Sequence, residues 1–139
     1  MPALKALDPQ EALVCTMVLV AAADGGLTDR EIGVMVGLVQ SLPVFHDFSS
    51  ARLKIATETA VSLLGESEGL AHAARLICEA LEPRLRETAY VLGCDVIAVD
   101  HHARPTELEM LEFVRKELGI DPLVARAFER AARARQQSR

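Results

Sequence analysis

An all-α domain is the fold class this sequence predicts, on three observations. Aromatic residues are few, with no Trp, one Tyr and four Phe, so the core has to be built from Leu, Val, Ile and Ala, which suits helix-on-helix packing. Apolar residues recur at three- and four-residue spacing through most of the chain, whereas strand-like alternation is weak. Helix punctuation recurs as capping side chains, helix-opening prolines and closing glycines. With 139 residues, half of them hydrophobic and a quarter charged, the chain suits one compact domain over 1–139 with a sizeable core.

The elements follow from that punctuation. Asp8-Pro9 offers an N-cap with Pro in the first turn, and the apolar run "QEALVCTMVLVAAA" extends the first helix to about Ala23, where Gly25-Gly26 end it. Thr28 and Glu31 form a capping box for the second helix, whose apolar positions are Ile32, Met35, Leu38, Val39 and Leu42, and Pro43 stops it. A loop over 43–49 carries two anchoring aromatics, Phe45 and Phe48. A third helix starts at Ser49 or Ser50 and runs to about Leu64, and "GESEG" breaks the chain. The fourth covers about 67–81, with Leu70, Ala73, Ala74, Ile77 and Leu81 inward. Pro83 opens a fifth that runs to Val99. Pro105 opens a sixth, with Leu108, Leu111, Val114 and Leu118 inward and Gly119 at its end. Asp121-Pro122 repeats the cap-then-Pro device for a seventh, basic helix over about 122–139, expected as a solvated, fraying end. That makes seven helices with no linker.

Two helix hairpins look alike. Shifted by 76 residues, Asp24 falls on Asp100, Glu31 on Glu107, Met35 on Leu111, Leu38 on Val114 and Leu42 on Leu118. The expectation is an internally duplicated hairpin, with halves at about 10–42 and 86–118.

The duplicated feature that carries chemistry is Asp-x6-Glu, found in "AAADGGLTDRE" and "IAVDHHARPTE". Two readings stand side by side. Glu31 and Glu107 lie in the first turn of a helix, where a carboxylate is favoured, so capping accounts for them. Asp24 and Asp100 sit at helix C-termini, the negative end of the dipole, where capping accounts for them badly. The other reading uses all four: free carbonyl oxygens, an Asp and a returning Glu make an oxygen-rich corner suited to Mg²⁺ or Ca²⁺. The spacing is not that of an EF-hand. Asp95, inside an otherwise uncharged helical stretch, either reaches the surface or faces the second corner; Asp29 is a candidate outer acid of the first. His101 replaces a glycine in the second corner, and its imidazole suits a borderline metal.

Charge and motifs limit the remaining classes. Formal net charge is −5, but residues 126–139 hold five Arg against one acid, which leaves −9 on the rest. An acidic body repels nucleic acid and suits cations or basic partners. No phosphate loop, nucleophile elbow or zinc-protease motif is present, so no enzyme is expected. Cys15, Cys78 and Cys94 have no ligand spacing and read as reduced core thiols in a cytosolic setting. No signal-peptide pattern opens the chain, and the apolar run 12–23 is too short for a membrane span, which needs about 20 residues.

"AAADGGLTDREI" resembles the signature of the tellurite-resistance TerB family, and "VIAVDHHARPTELEMLEFVRKELGID" resembles that family's second copy, the likeness covering about residues 10–122. The resemblance implies a compact domain of about seven helices with internal duplication. It also implies a non-enzymatic, cytoplasmic role in metal binding or sensing, linked to tellurite and other stress at the membrane's inner face, with Asp24, Glu31, Asp100 and Glu107 as the acids. The alternative is a metal-independent helical adaptor that docks a basic or membrane-associated protein partner.

Overall fold

The structure is a computed structural model and describes residues 6–23, 25–100 and 104–139. Among these residues it is all-helical, with α1 (Pro9–Ala21), α2 (Asp29–Ser41), α3 (Ser50–Leu64), α4 (Gly69–Ala80), α5 (Pro83–Ala98), α6 (Pro105–Leu118) and α7 (Pro122–Arg135), and a single 3₁₀ turn over Pro43–Phe45. The helix starts are local in origin. Asp8 Oδ1 accepts the Glu11 N–H at 2.8 Å and Glu11 Oε1 accepts the Asp8 N–H at 2.8 Å, a complete capping box. Ser49 Oγ accepts the Arg52 N–H at 3.1 Å, and Asp121 Oδ1 accepts that of Leu123 at 2.8 Å. Gly119 closes α6 in the left-handed conformation, with φ 70°.

Helix α1 is the axis of the fold. Every residue from Ala12 to Ala21 is at most 1% exposed, because α5, α3, α4 and α6 pack around it. A helix apolar on all sides is stable only when enclosed in this way. Its single polar side chain inside the run, Thr16, donates its hydroxyl to the Ala12 carbonyl at 2.8 Å and so introduces no orphan polar group. Helices α1 and α5 cross closely at Gly93, where an added Cβ would stand 3.3 Å from Val20 Cγ2.

The outer helices differ from the sequence expectation in three places. Ile32 and Leu108 were placed on inward faces but are 43% and 51% exposed, and Leu70 is only half-buried. Both exposed residues directly follow a buried glutamate in a first helical turn, so their side chains stand beside the core rather than in it. Cys78 is also only half-buried, with its thiol on the Glu117 carbonyl at 3.2 Å, whereas Cys15 and Cys94 are in the core. The basic end, expected to fray, docks as α7 on α5 with Ala125 and Ala132 buried. Two of its arginines engage acids of the body: Arg126 Nη2 is 3.8 Å from Glu112 Oε2 and Arg135 pairs with Asp95, while Arg126 Nη1 also bonds Glu129 Oε2 of α7 itself at 2.7 Å.

Candidate functional site

The two acid corners lie in the connections α1–α2 and α5–α6. In the first, α1 closes with the Ala22 N–H on the Val18 carbonyl at 2.8 Å, and the chain turns through Gly25. Gly25 has φ 122°, a backbone region that side-chain-bearing residues rarely enter. The chain then reaches Thr28, the N-cap of α2. Thr28 Oγ1 accepts the Glu31 N–H at 3.1 Å, and Glu31 Oε1 accepts the Thr28 N–H at 2.8 Å. The capping box read from the sequence is therefore formed.

Capping uses only half of the Glu31 carboxylate. The residue is 1% exposed, and Oε2 is buried with no hydrogen-bond partner among the described residues. An oxygen of this kind is costly to leave unpaired, because desolvation is not offset by a bond. It is the only side-chain nitrogen or oxygen in that state among the described residues. Its surroundings are the positive end of a helix and a turn whose chain carries Asp24 two residues after Ala22. Asp24 itself lies outside the described residues.

The second corner repeats the burial. Glu107 is 3% exposed, and its Oε1 accepts the Arg104 N–H at 3.1 Å. Arg104 stands where the first corner has Thr28; a guanidinium has no acceptor, so the reciprocal half of the box cannot form here. Asp100 is half-buried in the turn after α5. His101, the candidate imidazole ligand, falls outside the described residues.

The outer candidates separate. Asp29 is exposed in the first turn of α2. Asp95 is held by α7: its Oδ1 accepts from Arg135 Nε at 3.1 Å and from Nη2 as well, with the carboxylate side chain 14% exposed. Its charge is thus matched by a guanidinium, which accounts for an acid in an apolar helix without a metal. Among the described residues no three His, Cys, Asp or Glu side chains are grouped as a metal site. The pairing of Arg135 with Asp95 was missed in the sequence because the two lie 40 positions apart, beyond any periodicity.

Other reactive groups are muted. Burial pushes the Cys15 and Cys94 thiols up to about 12, so little thiolate exists there near neutrality. Tyr90, fully buried, donates its hydroxyl to Glu129 Oε2 at 2.6 Å, and burial together with that bond pushes the phenol well above its usual range. No helix among the described residues is long and apolar enough to cross a membrane.

Comparison with known proteins places this architecture. No characterised protein and no solved structure matches the chain. A family model described as tellurite resistance protein TerB matches residues 10–133, from the first turn of α1 almost to the end of α7, and the chain belongs to that family.

Proposed function

We propose that this chain is a non-enzymatic cytoplasmic module of the tellurite and metal-stress response that takes a divalent cation at its Asp-x6-Glu corners. The observation that carries the reading is Glu31 Oε2, a buried carboxylate oxygen left without a partner after the helix cap has been made. The donor set favours Mg²⁺ or Ca²⁺, since carboxylate and carbonyl oxygens are hard ligands. Glu31 and Asp24 would hold the ion in the first corner, and Asp100 with Glu107 a second. The ion would neutralise buried charge and tie the end of one helix to the start of the next.

The second corner is the weaker of the two on this reading. Arg104 brings a fixed positive charge to the position of Thr28, and His101 replaces the glycine that eases the first turn. Three free cysteines suit a reducing compartment. The proposal is tested by melting the protein with and without each cation, in the parent chain and in Glu31→Gln and Asp24→Asn variants. Stabilisation that depends on both acids supports it, and stabilisation indifferent to both removes it.

A further inference from the structure

We infer that the cleft between α2 and α3 is a binding site for a small amphiphile with an apolar body and an anionic end. The cleft has a volume of about 360 Å³, within the range of small-molecule sites. Its apolar lining is Leu27, Ile32, Met35, Val36 and Leu53. Ile32 stands at the rim and is 43% exposed, an apolar side chain left in water beside an apolar hollow. Such a wall offers an aliphatic or aromatic group the contacts that water cannot.

The polar groups of the cleft set the direction of the ligand. All belong to α3: Ser50 at its first residue, then Lys54, Thr57 and Glu58. The Thr57 hydroxyl is already used on the Leu53 carbonyl at 2.8 Å. Lys54 makes no ion pair among the described residues. At the Ser50 end, the positive end of a 15-residue helix adds to the Lys54 charge, and both favour an anion. Glu58 lies one turn further on and disfavours it there. The anionic head therefore belongs between Ser50 and Lys54, with the apolar body over Ile32 and Met35.

The positions 76 residues further on line no comparable opening. Shifted by 76 residues, Ile32, Met35, Leu53 and Thr57 fall on Leu108, Leu111, Glu129 and Arg133. All four of those line a cavity between α5, α6 and α7, but its volume is only about 90 Å³. Where the first half has Leu53 and Thr57, that cavity has two long charged side chains. An apolar ligand would find charge there, and Glu129 is already bonded to Tyr90 and Arg126.

The test uses the full chain and two fluorescent probes, anionic anilinonaphthalene sulfonate and its neutral relative phenyl-naphthylamine. The expected result is saturable binding of both at one site per chain, with displacement by decanoate below its micelle concentration. Ile32→Asp, a change at an exposed position, should weaken both probes about tenfold or more, the scale of losing one aliphatic contact and adding a charge. Leu123→Asp, at an apolar, 82% exposed position that does not line the cleft, should change neither. Lys54→Gln should weaken the sulfonate roughly fivefold and leave the neutral probe unchanged, the scale of a partly exposed ion pair. Far-UV spectra and melting curves confirm that each variant is folded. The inference is overturned by absence of saturable binding to the folded chain, or by equal effects of Ile32→Asp and Leu123→Asp. Equal loss of both probes in Lys54→Gln overturns it too, as does concentration-dependent self-association that accounts for the probe signal.

Discussion

Replacing glycines by alanine along this chain should produce opposite effects at different sites, and the structure sets the order. At Gly69, the first residue of α4, an added Cβ would lie 2.3 Å from the Leu63 carbonyl oxygen and 2.9 Å from that of Leu64. Both obstacles are backbone at the end of α3, so no side-chain rotation relieves them. Overpacking of this kind costs about 3 kcal/mol at the upper end, and the smaller unfolded-state entropy of alanine returns about 1 kcal/mol or less. The net loss is about 2 kcal/mol, which for a chain of this length lowers the melting temperature by roughly 6 °C. Gly33 and Gly37, inside α2, meet nothing within 4 Å, so alanine there should gain up to about 1 kcal/mol each from helix propensity. Gly93 should fall between, because its Cβ would press on Val20 Cγ2 at 3.3 Å, and Val20 is fully buried and stiff. Thermal and urea unfolding followed by far-UV circular dichroism reads the series. A Gly69→Ala chain as stable as the parent, or Gly93→Ala gaining as much as Gly37→Ala, would refute the packing argument.

Three further outcomes follow from the same geometry. Burial holds the Cys15 and Cys94 thiols protonated up to about 12 in the folded chain, against an ordinary 9.0. The stability they contribute is therefore complete below pH 9 and is lost as pH rises towards 12, by up to about 1.4 kcal/mol per pH unit for each thiol. Urea melts across that window should flatten in Cys15→Ala and Cys94→Ala, and in the parent half-buried Cys78 should be alkylated first; labelling of Cys15 at the rate of Cys78 would contradict this. Asp95→Asn should cost about 1 kcal/mol by leaving Arg135 half-matched, while the response to Mg²⁺ or Ca²⁺ stays unchanged; loss of that response would make Asp95 a ligand. A crystal structure should superpose residues 10–42 on 86–118 as hairpins, and different hairpin geometries would remove the duplication.

Helix boundaries were legible because their causes are local. Thr28 with Glu31, Asp8-Pro9, Ser49 and Asp121-Pro122 each carry the atoms that start a helix within three residues of one another. The start of α4 was less so: Glu68 enters it in the left-handed conformation with φ 61° and no side-chain cap, and helix Gly69–Ala80 is shorter than expected at both ends. Periodicity put Ile32 and Leu108 inside, because spacing finds a helix face but not which helix covers it; here a cleft lies beside each residue. The long-range pairs of α7 escaped for a related reason, since Arg135 and Asp95 meet only after the helices have packed. At the corners, the sequence offered the glutamates as first-turn residues. Their near-complete burial, and the unpartnered oxygen of Glu31, depend on what packs over the turn.

The most direct test of the cation reading is the melting temperature of four chains, the parent, Glu31→Gln, Asp24→Asn and the double variant, with and without Mg²⁺ or Ca²⁺. At a hundredfold over the dissociation constant the parent should gain about 2.7 kcal/mol. Each single change should abolish that gain while costing the metal-free chain no more than about 1 kcal/mol, the scale of a charge at a helix start. A double variant that is still stabilised by the cation to the same extent as the parent would contradict the account of the first corner.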